Sequence, residues 1–175
     1  MISRRTLLLC AASASLLPAR ALWAAPDAKG DPFAYVVELS NVVLDEIRKN
    51  PALHKADPEQ VRKLVDETLM PAADFEMMTR MTVGPRWRQA SAQERTELMD
   101  AFKALLVRVY SGALTTVEDH RCELRPTRNK KVRDEMIVRT LLKSAGHNDI
   151  GLDYRIYRDK TGTWRIVDVN VEGIW

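Results

Sequence analysis

Apolar positions fall into two regimes along this chain. Between residues 33 and 117 they recur every three or four positions, the spacing of helices that bury one face. Beyond His120 they alternate, the spacing of strands. The longest helical run is 91–117, SAQERTELMDAFKALLVRVYSGALTTV. Ser91 followed by Glu94 predicts a capping box at its start. Leu98, Phe102, Leu105, Leu106, Val109, Ala113, Leu114 and Val117 then form a wide apolar stripe on a helix of about seven turns. Such a stripe needs a broad partner surface, and the β-rich segment that follows is the candidate. The question it raises is whether helix and sheet close completely or leave a space.

Three shorter helices come first. One is predicted over 33–49, with Val36, Leu39, Val43 and Ile47 on one face and Asn50-Pro51 as its stop. Asp57 as N-cap and Pro58 at the first position open a second, with Val61, Leu64, Val65, Thr68 and Leu69 inward and Pro71 at its end. A third spans 72–82, offering Phe75, Met78 and Met81 before Gly84-Pro85 breaks it. Strands follow over 121–127, along Met136, Val138, Thr140 and Leu142, and along Ile150, Leu152, Tyr154 and Ile156. Residues 159–162 predict a hairpin turn. The last strand carries Trp164 and Ile166 on one parity and Val167, Val169 and Val171 on the other, which predicts a β-bulge near Ile166 and Val167. Four helices and then an antiparallel meander of four strands make an α+β domain, with no internal repeat and no second domain.

Composition narrows the class. A chain of 175 residues, 46% hydrophobic and 29% charged, suits one soluble domain with a sizeable core. Arg4-Arg5, the apolar run 6–17 and the small residues 21–25 read as a secretory signal peptide, cleaved after Ala21 or Ala24, leaving 25–175 as a single domain. Ser3-Arg4-Arg5-Thr6-Leu7-Leu8 also resembles a twin-arginine signal, so either export route fits. Leu9 before Cys10 argues against a lipid anchor. The formal charge of +3 belongs to the leader: without Arg4, Arg5 and Arg20, 24 basic residues balance 24 acidic ones. Nucleic-acid binding thereby loses its main support. Cys122 is then the only cysteine, expected as a half-buried strand residue with no internal disulfide.

Catalytic chemistry is scarce. His54, His120 and His147 lie in polar or linker stretches with no ligand at helical spacing, so they are expected as exposed loop residues and no metal site is expected. No glycine-rich loop follows a strand, and Ser111-Gly112 lies inside a helix rather than at a nucleophile elbow. Asp66 and Glu67 diverge, Asp153 faces away from the core, and no carboxylate pair assembles from spacing. An enzyme is not expected. What remains is apolar surface, including Met70, Met77, Met78 and Met81 with Phe75 and Trp87 nearby.

Several stretches resemble one family. Leu69-Met70-Pro71, Asp74-Phe75, Met78-Thr79, Val83-Gly84, Trp87-Arg88-Gln89-Ala90 and 102–114 (FKALLVRVYSGAL), with Trp164-Arg165-Ile166-Val167-Asp168-Val169 and then Val171-Glu172-Gly173, are together similar to MlaC proteins, also known as toluene-tolerance (Ttg2) or ABC-transporter auxiliary proteins. The match runs in order through nearly all of 25–175. It implies a periplasmic carrier that holds phospholipid acyl chains in a deep apolar pocket, on a helix-plus-curved-sheet fold of the NTF2-like kind. It also implies two partners: an outer-membrane lipoprotein–porin complex, and an inner-membrane ABC transporter whose substrate-binding subunit has an MCE domain. No cofactor is implied beyond the phospholipid cargo. Family members continue past the position of Gly173 into a further helical segment, which this chain is expected to lack.

On that reading the pocket walls are the inner faces already described. They are Leu69, Phe75, Met78, Trp87, Phe102, Leu105, Leu106, Val109 and Leu114 from the helices, with Val138, Leu152, Tyr154, Ile156, Trp164 and Val169 from the sheet. Arg86, Arg88 and Arg139 are the candidates for the head-group phosphate. The free protein is expected to be a monomer. The competing readings are a hopanoid or other rigid lipid as cargo, a small-molecule enzyme on the same cone, and a lipid-free adaptor with a closed core.

Overall fold

The structure is a computed structural model describing residues 25–127 and 131–175. The leader, its cleavage positions and the choice of export route fall on residues 1–24, outside the described residues. Four α-helices, α1 (Pro32–Lys49), α2 (Pro58–Leu64), α3 (Phe75–Val83) and α4 (Ala92–Tyr110), precede four strands. These are β1 (Arg121–Leu124), β2 (Glu135–Lys143), β3 (Ile150–Arg158) and β4 (Trp164–Val171). The strands pair in chain order and every pair is antiparallel, so the α+β meander is as expected.

Local chemistry sets where each helix starts. Asp31 accepts from the amides of Phe33 and Ala34 ahead of Pro32, and Asp57 accepts from Glu59 and Gln60 ahead of Pro58. Ser91 and Glu94 exchange both bonds of the capping box. α2 runs on through a π-helical turn over Val65–Leu69. α3 begins three residues later than its apolar spacing suggested. Ala72 instead lies in the turn after Leu69, and Ala73 bridges the edge of β4: the Ile166 amide donates to the Ala72 carbonyl, and the Asp74 amide to the Ile166 carbonyl. The predicted seven-turn helix is also shorter. Its α-helical part stops at Tyr110, and Ser111–Thr116 continue as a 3-10 turn. There the Thr115 and Thr116 hydroxyls donate to the carbonyls of Gly112 and Ala113, local bonds that compete with α-helical pairing.

The bulge lies where the change of parity puts it. Ile156 pairs with Ile166 and Arg155 with Asp168, so Val167 has no residue opposite it. The result is one inner face on which Trp164, Ile166, Val169 and Val171 align with Met136, Val138, Thr140, Ile156, Tyr154 and Leu152. α1 crosses this face obliquely. Phe33, Tyr35, Val36 and Leu39 in its first half pack with Val138, Ile156, Trp164 and Ile166, while Leu44 and Ile47 near its end pack with Cys122 and Leu142 at the other side of the sheet.

Two side chains that the sequence pattern does not reveal lock this arrangement. The Asn41 amide, on α1, donates to the Cys122 carbonyl at 3.1 Å and accepts from the Cys122 amide at 2.9 Å, satisfying the main chain of edge strand β1 as another strand would. Ser40 donates to the Val36 carbonyl and meets the Tyr154 hydroxyl at 2.8 Å. Cys122 itself is buried rather than half-buried, and burial raises its thiol pKa against hydrogen bonds to Thr140 and Ser40. Asn41→Ala strands two main-chain groups at once. It is expected to lower stability by about 1–3 kcal/mol with little change in lipid uptake, as measured by urea unfolding.

Candidate functional site

The stripe on α4 is where sequence and structure meet most directly. Not one of the helix's 19 residues is fully buried. It packs chiefly on α2 and α3. Phe102 stacks on Phe75 with ring centroids 5.5 Å apart, and Lys103 pairs with Asp66 of the π-helical turn at 3.0 Å. Val107 and, in the 3-10 turn, Leu114 touch the edge of the core cluster that α1 forms with β1 and β2. The remaining apolar side is left open: Leu105 is 43% and Val109 58% exposed, with Met81 of α3 at 46%.

The sheet has a matching uncovered corner. Leu152, Tyr154, Val169 and Val171 stand on its inner face but are only half-buried, because α1 crosses elsewhere. Leu152 and Ile150 border the same core cluster as Val107 and Leu114, so corner and ridge share that margin. Tyr154 turns its hydroxyl toward Ser40, and burial pushes its phenol well above the ordinary tyrosine value. Its ring packs against the core cluster beneath α1.

The residues expected as pocket walls therefore divide. Phe75, Met78, Phe102, Leu106, Leu114, Leu152, Tyr154 and Val169 are half-buried, and Leu69, Leu105 and Val109 are exposed. Val138, Ile156 and Trp164 are closed beneath α1 with no exposed surface. The Trp164 indole donates to the Gly30 carbonyl at 3.1 Å, which ties down the segment before α1. Trp87 is buried in the 3-10 turn Gly84–Arg88, under the Arg95 guanidinium at 5.4 Å, and Arg95 also donates to the Trp87 carbonyl. Strand alternation does not distinguish inner-face positions beneath α1 from those beside it, so all were expected alike.

The arginines part in the same way. Arg86 lines an open groove of about 660 Å³ between the end of α3 and the first half of α4, together with Val83, Gln89, Ala90, Glu94, Glu97, Leu98 and Ala101. Arg88 is exposed outside it. Arg139 is on the outer face of the sheet, 3.7 Å from Asp153, and lines a different cleft of about 440 Å³ with Arg125, Lys131, Arg133 and Glu135. Apolar periodicity gave no sign of Glu94 and Glu97 as groove residues.

The expectation for the histidines is overturned at two of the three. His120 is not an exposed loop residue: it is 2% exposed, and neither ring nitrogen has a hydrogen-bond partner among the described residues. It follows Val117 and precedes β1, and the chain folds it inward beside His147 at 5.8 Å between rings. His54 is half-buried between the Ile47 carbonyl and Glu118, and only His147 is exposed.

The family model described as MlaC protein matches residues 37–175. This chain belongs to the MlaC family. The intermembrane phospholipid transport system binding protein MlaC of Haemophilus influenzae is 21% identical over 149 residues, covering 84% of this chain and 70% of that protein. Among solved structures, the phospholipid-binding protein of Ralstonia solanacearum, determined in complex with a phospholipid, superposes with a TM-score of 0.76 at 32% identity. That match covers 83% of this chain and 80% of the other. The helices and open antiparallel sheet are thus an MlaC fold.

Asp74 holds the wall that carries Phe75 and Met78. One carboxylate oxygen caps α3 at the Met77 amide, and the other accepts from the Tyr157 hydroxyl at 2.6 Å. That bond is the main reason the Tyr157 phenol is pushed up to about 12 from its ordinary 10.0. The neutral phenol is the favoured form in the folded state. Its contribution is therefore complete below pH 10, where the unfolded phenol begins to ionise, and is lost as pH rises through about 12. Asp74→Asn, which keeps a capping oxygen but removes the charge, should return Tyr157 toward 10.0 in an ultraviolet phenolate titration. An unchanged titration would contradict this assignment.

Proposed function

We propose that this protein is a carrier that binds phospholipid by its acyl chains in the space between α4 and the open corner of the sheet. On this reading it shuttles the lipid through the periplasm between an outer-membrane lipoprotein–porin complex and an inner-membrane ABC transporter with an MCE-domain subunit. The observation that supports it most is the α4 ridge, a long amphipathic helix on which Leu105 and Val109 are left exposed by the other described residues. Hydrocarbon moving through water costs roughly 0.8 kcal/mol per exposed methylene. A carrier has only to replace that water with apolar wall, and needs no catalytic group.

Dimensions agree with this cargo. From Leu98 to Val109 the ridge rises about 16 Å at 1.5 Å per residue. One leaflet, half of a hydrocarbon core about 30 Å thick, is about 15 Å deep. A single acyl chain laid along α4 matches that length, with the head group at an end open to solvent. The resemblance to the Ralstonia protein, solved with a phospholipid bound, points to the same cargo. The cone-shaped, NTF2-like form, the monomeric state and maintenance of outer-membrane lipid asymmetry belong to the same proposal. So does export by a cleaved leader.

Mass spectrometry of the gently purified, intact protein is expected to find about one co-purifying phospholipid per chain. Leu106→Trp and Val109→Trp add bulk to the ridge where the fold does not need it, and should displace most of that lipid while leaving the circular dichroism spectrum and thermal midpoint nearly unchanged. A lipid-free wild type would contradict the carrier reading, as would tryptophan variants that stay fully loaded.

A further inference from the structure

Beside the ridge, the groove between α3 and α4 has charges of both signs at one end of an apolar track. Val83, Leu98 and Ala101 give it an apolar floor. Leu105 lies four residues past Ala101 and seven past Leu98, so the floor runs along the same side of α4 into the exposed ridge. At the other end stands Arg86, exposed and with no ion pair among the described residues. Across from it on α4 are Glu94 and Glu97. Glu94 is held by the Ser91 amide at 2.7 Å, and Glu97 accepts from the Gln93 amide at 2.9 Å, which leaves its second oxygen for another donor.

We infer that this groove is a head-group site for zwitterionic phospholipids, with Arg86 taking the phosphate and Glu97 the amine. The inference rests on the carrier reading and adds a preference to it. A planar guanidinium that lacks a partner suits a phosphodiester. The phosphodiester is common to all such lipids and by itself selects none of them. Selection comes from the carboxylates: an ethanolamine head group brings a cation to Glu97, while a glycerol head group brings none and leaves the phosphate charge facing Glu94 and Glu97. Because the groove is open, each pairing is worth only what solvent-exposed charges are worth, so the selection should be several-fold rather than absolute.

The test is a competition. The mature chain is incubated with vesicles of equimolar phosphatidylethanolamine and phosphatidylglycerol, re-isolated, and its bound lipid counted by head group in native mass spectrometry. The wild type should take up phosphatidylethanolamine in about three- to five-fold excess. Glu97→Gln should bring the ratio to about one, and Arg86→Gln should lower the loading of both lipids. Equal uptake by the wild type, or a ratio that Glu97→Gln does not move, overturns the head-group site while leaving the carrier intact. Failure of the wild type to take up either lipid overturns the carrier reading, and this inference with it.

Discussion

A single helix is too narrow to cover a four-stranded sheet. An α-helix with its side chains is about 10–12 Å across, whereas four strands at about 4.8 Å spacing span nearly 20 Å. In most domains of this layered kind a second helix fills the remainder. Here α1 crosses obliquely, closing Val138, Ile156 and Trp164 at one end and Cys122 and Leu142 at the other, and the corner at Leu152, Tyr154, Val169 and Val171 is left half-covered. α4 is long enough and apolar enough to fill it. It is held off because it packs on α2 and α3 through Phe75–Phe102 stacking and the Lys103–Asp66 pair. The candidate site is the difference between the apolar area the sheet presents and the area α1 covers.

Holding that difference open takes a stiff frame, and the polar contacts sit where such a frame needs them. Asn41 fixes α1 to the edge strand β1, and Ser40 fixes it to Tyr154 of β3, so α1 does not slide across to close the corner. On the opposite edge, Ala72–Asp74 pair with β4, and Tyr157 holds the Asp74 cap, which sets where α3 begins and so where Phe75 and Met78 point. The Arg165 guanidinium reaches the Pro71 carbonyl at 2.7 Å and reinforces the same junction. These bonds lie around the rim of the open region. The half-covered positions themselves are mostly aliphatic, Leu152, Val169 and Val171 on the sheet and Leu105, Leu106 and Val109 on α4, side chains with no polar group to pair.

Much of this was legible in advance, for reasons particular residues make clear. Asp57-Pro58 and Ser91-x-x-Glu94 carry their own capping chemistry, so those helix starts follow from sequence. The change of parity at Ile166 and Val167 is a count of side chains on two faces, and only a bulge reconciles it. Other features depend on contacts distant in sequence. Ala72 and Ala73 have helical spacing, yet they pair with β4, more than ninety residues away. His120 looked like a loop residue because its neighbours Asp119 and Arg121 are polar, but the turn into β1 folds its ring inward. The exposure of the α4 ridge was least legible. A stripe such as Leu98–Leu105–Val109 has the same period whether it meets a packed core, a ligand or water. Only the path of α1 decides which.

The ridge also bears on how such a carrier would load and unload. Without the first 24 residues the chain has as many acidic as basic groups, so little net repulsion keeps copies apart. Exposed Leu69, Met81, Leu105 and Val109 are then a liability in water, because two such surfaces gain by meeting each other. On the carrier reading, covering the ridge with hydrocarbon removes that liability, which makes the loaded protein the comfortable state and the bare one avid. Release then cannot come from weak binding alone. It needs a partner that offers the acyl chain an equally apolar path while contact is maintained. On the carrier reading, then, such a protein would be tight in free solution and would give up its cargo only where its exposed side is docked.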